Sequence, residues 1–278
     1  MQTRWESQFT PEGLRQHVVS FPGMAWRIPG DAGYAVAAPW NGRREIAQIL
    51  EVLSARRRAA LFEVLLSALR DGGARLALLS HEEQGRALDS TDGIQWEPLE
   101  EVFVYRRGPE PLPDVRNRLD IVALDGRLLS GLLEVEEGAF AWMWRFGSGF
   151  FAQGDTSPNR RLRIAVDGGF VAGYYVVVAH RRFGHIDRLA VHPRYQFRGY
   201  GKMLLARALG ELTDMGCRET GLSTQSGNRV AQRLYEGFGF RRTGSYRIHG
   251  KWLAGPEAGH EPRRGSSGPL STDSSLRA

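Results

Sequence analysis

The segment RRGPEPLPDVRN, residues 106–117, limits this chain more than any other feature. Pro109, Pro111 and Pro113 fall within five positions. Each lacks a backbone N–H and fixes φ, so the run can be neither helix nor interior strand. It cuts the 278 residues into two unequal parts, and the length is enough for two cores. The expected organisation is an N-terminal α/β unit over 1–110, a linker over 111–117, a second unit over 118–255 and a tail over 256–278. The tail is rich in Gly, Pro and Ser without apolar periodicity, which is the composition of disorder.

In the second unit, RLLSGLLEVEE (127–137) has apolar residues at helical spacing. RLRIAVDGGFVAGYYVVVAH follows as a hairpin, with its turn at Asp167, Gly168 and Gly169. HIDRLAVHP (185–193) reads as a strand stopped by Pro193. KMLLARALGELTDMG reads as an amphipathic helix with Gly216 at its C-terminal stop. CRETGLSTQ is a short strand, NRVAQRLYEGFGF a short helix and RRTGSYRIHGKWL a last strand. The N-terminal half repeats that order faintly, with strand 45–53, helix RRRAALFEVLLSALRDGG, strand ARLALLS and strand 100–107. A decayed internal duplication and an unrelated α/β cap are both compatible with this.

Composition narrows the function classes. No apolar run approaches the roughly 18 residues of a membrane span, and the N-terminus has no apolar core of a secretory signal. Cys217 is the single cysteine, so no internal disulfide forms, and a cytoplasmic setting fits. The formal charge is +6, and only Lys202 and Lys251 among the 37 basic residues are lysines. The arginines are spread in pairs and one triplet, Arg56–Arg58, rather than along an aromatic-interleaved stripe. Neither a nucleic-acid partner nor a membrane partner is expected.

Chemistry concentrates in LAVHPRYQFRGYGKMLL, residues 189–205. A strand ends at Pro193, and a loop with Gln196, Arg198, Gly199 and Gly201 opens a helix. A first helical turn has free N–H groups and the positive end of the helix dipole, and glycines let the backbone approach a bulky anion. Such a turn suits a diphosphate. The spacing is neither GxGxxG nor a P-loop.

This stretch resembles motif A of the GNAT superfamily of N-acetyltransferases. NRVAQRLYEGFGF resembles that family's motif B, with Asn228, Ala231, Tyr235, Gly239 and Phe240 in register. The resemblance covers roughly 118–255. It implies an α/β fold with a mixed, mostly antiparallel twisted sheet flanked by helices, preceded here by a smaller α/β unit. It also implies acetyl-CoA as cosubstrate, an amine as acceptor and direct transfer between them. On matching positions, the backbone of Leu189, Ala190 and Val191 would meet the pantetheine arm and the acetyl carbonyl. The N–H groups of Gln196, Phe197, Arg198, Gly199, Tyr200, Gly201 and Lys202 would hold the diphosphate. Asn228 would hydrogen-bond the cosubstrate, and Tyr235 would protonate the departing thiolate. The alternative for Tyr235 is simple packing.

The base stays open between Asp187, which the family often uses through water, and His185, two residues earlier on the same strand face. His180 and His192 are further options. A surface ion pair with Arg181, Arg182 or Arg188 is the plain reading of Asp187. The histidine spacings fit no compact zinc pattern, so no metal is expected. AFAWMWRFGSGFF (139–151) is either an aromatic wall for the acceptor or, the reading that clustering favours, a seam against the N-terminal half. That half lacks the glycine pair where a second motif A would turn, and it is expected to shape the structure or the substrate site. A non-catalytic acyl-CoA sensor is the competing function, and a homodimer is left open.

Overall fold

A computed structural model describes residues 9–254 except 31, 55, 83–92, 117, 153 and 156. The tail over 256–278 lies outside the described residues. In chain order the elements are α1 (Pro11–Ser20), β1 (Ala25–Arg27), β2 (Tyr34–Trp40), β3 (Arg43–Leu53), α2 (Arg58–Asp71), β4 (Leu76–Glu82) and β5 (Glu97–Arg107). Then come β6 (Asp120–Ala123), α3 (Leu129–Ala139), a 3-10 turn (Trp142–Trp144), α4 (Ser148–Ala152), β7 (Arg160–Asp167), β8 (Phe170–His180) and β9 (Phe183–Val191). A second 3-10 turn (Pro193–Tyr195), α5 (Tyr200–Asp214), β10 (Glu219–Gln225), α6 (Arg229–Glu236) and β11 (Arg241–Trp252) complete the chain.

All strands join one sheet in the order β1-β2-β3-β4-β11-β5-β10-β9-β8-β7-β6. Among the described residues only β3–β4 and β9–β10 pair in parallel. The α/β fold expected from sequence is therefore present: a mixed, mostly antiparallel sheet with helices on its faces. The last strand of each half lies in the other half's territory. β11 pairs with β4, and β5 pairs with β10. The proline-rich run after β5 carries neither helix nor strand.

The two halves share more than element order. Ile46, Ala47 and Gln48 pair in parallel with Leu76–Leu78, as Phe183, Gly184 and His185 pair with Glu219–Gly221. Both ladders stop after three residues. The β2–β3 register skips Leu50 at a bulge, and the β8–β9 register skips Asp187 at another. The registers and the bulge positions of the two halves therefore correspond.

Helices α5 and α3 cover opposite faces of β8 and β9. Leu204, Leu205, Ala208, Leu209 and Leu212 of α5 enter one core with Tyr175, Val177 and Ile186. Leu132 and Val135 of α3 enter another with Tyr174, Val176 and Phe151. In the N-terminal half α2 packs Leu61, Phe62, Leu65 and Leu69 over β2 and β3. The opposite face there is covered by Trp142, Met143 and Trp144 from the second half, set against Ile46, Leu76 and Leu78. Among the described residues no helix is long and apolar enough to cross a membrane.

Local details differ from the sequence reading where no glycine marks a turn. β9 starts at Phe183, because Arg181 takes φ 57° and closes a hairpin with β8. The left-handed conformation there has no Gly or Asn signal. The β7–β8 turn follows the reading, with Gly168 and Gly169 both at positive φ. α5 begins at Tyr200 and ends before Gly216, which takes φ 85°.

Candidate active site

The site follows from how β9 and β10 part. Their parallel ladder ends at His185 and Gly221. Beyond it β9 stays with β8, while β10 continues along β5 through Gln225. The two facing edges therefore carry backbone groups with no ladder between them. A cavity of about 1170 Å³ opens in this fork, lined by residues 185–191 of β9 and 223–225 of β10. Ordinary small-ligand sites measure roughly 300–1,000 Å³, so the space suits two substrates.

One end of the cavity is the bend after Pro193. Gln196, Phe197, Gly199, Gly201 and Lys202 line it, and Arg198 and Tyr200 do not. The Tyr200 hydroxyl donates to Asp167 at 2.5 Å, its ring stacks on Tyr195, and Arg198 lies over the Tyr195 ring. Gly199 caps α5 at φ 85°. Phe197 takes φ 63° although its side chain is 87% exposed. A non-glycine residue in that region costs roughly 1–2 kcal/mol, and no burial of the ring offsets it. Such strain is a mark of functional bends. The Gln196 N–H bonds to Pro193 O and the Lys202 N–H to Gly199 O. Among the described residues the amides of 197–201 between them have no hydrogen-bonded partner.

Val230, Ala231, Arg233, Leu234 and Tyr235 of α6 line the cavity, together with its N-cap Asn228. Asn228 caps the helix, its side-chain oxygen accepting from the Ala231 N–H at 3.2 Å, which leaves its Nδ2 available. Tyr235 is 8% exposed, flanked by Tyr105 and Phe240, and lines the same space. Its hydroxyl has no protein partner among the described residues. Burial pushes its pKa up to about 12, the Arg188 charge working the other way.

On β9 Asp187 and His185 share a strand face and are hydrogen-bonded, with Nδ1 to Oδ1 at 2.7 Å. A carboxylate accepts, so Nδ1 is the donor, and in the neutral tautomer that this bond selects the lone pair lies on Nε2. Sequence treated these two residues as alternatives; the structure brings them together as a pair. His180 and His192 do not line the cavity, and His192 Nδ1 accepts from the Arg194 N–H. Leu189, Ala190 and Val191 line it, and the Val191 carbonyl is taken by Gln196 Nε2 at 3.2 Å. Cys217 is buried under α5, away from the cavity, and burial raises its thiol pKa. Among the described residues no cluster could hold a metal ion.

Sequence reasoning missed the support beneath this site. Glu136 of α3 is buried and bonds Arg188 Nη2 at 2.5 Å, the Phe146 N–H at 2.7 Å and the Tyr174 hydroxyl. Arg188 also donates to Trp144 O at 2.7 Å, with its guanidinium over the rings of Phe140 and Phe146. The signal was present: Glu136 stands four residues after Leu132, on the apolar face of α3.

The sequence pattern of the family described as "Acetyltransferase (GNAT) family" matches residues 131–240. A [ribosomal protein bS18]-alanine N-acetyltransferase of Salmonella typhimurium is 30% identical over 107 residues, 38% of this chain and 70% of that protein. The chain belongs to the GNAT acetyltransferase family. The mycothiol acetyltransferase of Mycobacteroides abscessus is 27% identical over 211 residues, covering 70% of this GNAT chain and 71% of that one. A tandem GNAT protein from the clavulanic acid biosynthesis pathway shares the fold at 14% identity and a TM-score of 0.57, with 87% of each chain covered. This GNAT protein is thus an N-acetyltransferase enzyme, and its two-part sheet has precedent among solved folds.

Proposed function

We propose that this enzyme transfers the acetyl group of acetyl-CoA directly to a primary amine of a small molecule or peptide. The observation that carries the reading is the run of unpartnered amides 197–201 at the mouth of a forked sheet. Five N–H groups at the positive end of α5 suit the diphosphate of coenzyme A. The open edge of β9 can hydrogen-bond the pantetheine amides as an added strand would. Tandem GNAT architecture and acetyltransferase relatives support the same cosubstrate. The proposed division at 111–117 stands with it as a boundary in sequence, across which β5 and β11 are exchanged.

The residues then have separate roles. His185, held by Asp187, takes the proton that the attacking amine must lose. The amine nitrogen bonds to the thioester carbon, and the carbon–sulfur bond breaks. Tyr235 gives its proton to the departing sulfur, and the second proton that the nitrogen sheds on becoming an amide restores the phenol through solvent. A phenol raised to about 12 is fully protonated at neutral pH, as an acid must be. The thiolate it protonates is also desolvated, which raises its own basicity and narrows the mismatch.

Two outcomes test these roles. Because the Tyr235 pKa is raised, its acid form persists to higher pH, so kcat/KM is expected to rise with pH and then stay level to about pH 10, the ordinary phenol value. A falling limb near pH 8 in the pH–rate profile would remove Tyr235 as the acid. His185→Ala is expected to lower kcat/KM about 10²-fold at neutral pH, with the deficit shrinking in alkaline buffer where the amine is already neutral. A pH-independent deficit would point to a packing role instead. Thiol release from acetyl-CoA with an amine panel reads both.

A further inference from the structure

We infer that the N-terminal half supplies one wall of the acceptor pocket through Trp40 and Asn41, and that the acceptor is a monoamine with a flat apolar body. This rests on the acetyl-CoA reading above and narrows the amine. Trp40 ends β2, and Asn41, at φ 52°, turns the chain into β3. Both line the same cavity as His185, Asp187 and Tyr235. The turn is fastened to the second half rather than merely near it. Trp40 Nε1 donates to Met143 O at 2.8 Å, Asn41 Nδ2 to Trp144 O at 3.3 Å, and the Gly147 N–H to Asn41 O at 2.9 Å. Arg43 also donates to Trp142 O.

These bonds settle what the aromatic run 139–151 does. Trp142 forms the seam between the halves, packing on the Ile46, Leu76 and Leu78 core with Arg43 and Arg75 over its ring, and it also stacks on Trp252. Phe140, Trp144 and Phe146 line the cavity, and Trp144 meets the edge of Trp40 with ring centres 5.7 Å apart. Tyr246, from the exchanged strand β11, lies on the same lining. An aromatic or apolar group seated there is held by stacking and burial.

Charge narrows the acceptor further. Among the described residues lining the cavity Asp187 is the one carboxylate, and it is already bonded to His185. Arg188 is matched by Glu136 behind the wall, while Lys202 and Arg233 add positive charge. A second or third ammonium on the acceptor would find no partner and would be repelled. Polyamines and aminoglycosides are therefore disfavoured.

The test has a binding arm and a turnover arm, both on the full chain. Calorimetry with acetyl-CoA comes first. Thiol release is then measured with tryptamine and phenethylamine, against spermidine, kanamycin and an alanine-initiated peptide. The aromatic monoamines are expected to exceed spermidine and kanamycin in kcat/KM by about 100-fold, the loss typical of leaving buried charges unmatched. Trp40→Ala is expected to raise KM for tryptamine about 10- to 30-fold, the loss of one aromatic wall, with the acetyl-CoA Kd unchanged. Trp40→Phe should recover most of it. Acetyl-CoA binding with a preference for spermidine or kanamycin overturns the inference and leaves the acetyl-CoA reading standing. An unaltered tryptamine KM in Trp40→Ala also overturns it. Absence of acetyl-CoA binding removes the underlying reading itself. If Trp40→Ala does not fold, the wild-type panel and Trp40→Phe decide alone.

Discussion

Tyr235→Phe is expected to lower kcat about 10²- to 10⁴-fold, the range for loss of a positioned general acid, while leaving acetyl-CoA affinity nearly unchanged. The change removes one hydroxyl from a residue that is 8% exposed and packed between Tyr105 and Phe240. The ring stays, so the packing stays. The lost hydroxyl makes no hydrogen bond to the protein, so no partner is orphaned and the fold should keep its stability. These conditions separate chemistry from structure cleanly. A kcat within a few-fold of wild type would reduce Tyr235 to a wall of the cavity. A kcat that falls together with Tm would show that the hydroxyl supports the fold after all.

Glu136→Ala is expected to cost about 3–5 kcal/mol, the penalty for breaking a buried ion pair and stranding its partner. The side chains of Arg188 and Glu136 are 8% and 3% exposed, so water cannot replace the lost carboxylate. The Tyr174 hydroxyl and the Phe146 N–H lose an acceptor in the same step. Tm is expected to drop on the order of 10 °C. Removing both charges in Glu136→Leu/Arg188→Met should recover much of that loss, because two apolar side chains leave nothing unpaired. A Tm unchanged by Glu136→Ala would mean that Arg188 finds another partner. A double variant no better than the single would mean that Arg188 is held chiefly by Phe140, Phe146 and the Trp144 carbonyl.

What sequence could and could not reveal follows the range of the interactions. The β7–β8 hairpin was legible because Gly168 and Gly169 mark its turn locally. The helix α5 was legible from its apolar spacing, and the bend after Pro193 from its glycines and the strand before it. The β8–β9 hairpin was harder, since Arg181 and Arg182 give no turn signal. The exchange of β5 and β11 was out of reach. Which distant strand pairs with β4 depends on the packing of the whole sheet, not on any residue in β4 itself. The bulge at Asp187 is also a pairing property. Trp40 carries no local signal, since its place on the cavity depends on contacts about a hundred residues away in sequence. The run 139–151 was read as either wall or seam; Trp142 packs in the seam while Trp144 lines the cavity, where the proposal makes it part of the acceptor wall.

The proposed chemistry depends on the bend after Pro193 holding a diphosphate on main-chain amides, and one comparison of ligands tests that most directly. Calorimetric Kd values would be measured for acetyl-CoA and for S-acetyl-pantetheine, which keeps the thioester arm and lacks the diphosphate. Two charge-assisted hydrogen bonds at roughly 1.5 kcal/mol each correspond to about 100-fold. Acetyl-CoA is therefore expected to bind at least about 100-fold more tightly, at one site per chain, with the difference shrinking as salt is added. Equal affinity for the two ligands would contradict the proposed role of residues 197–201.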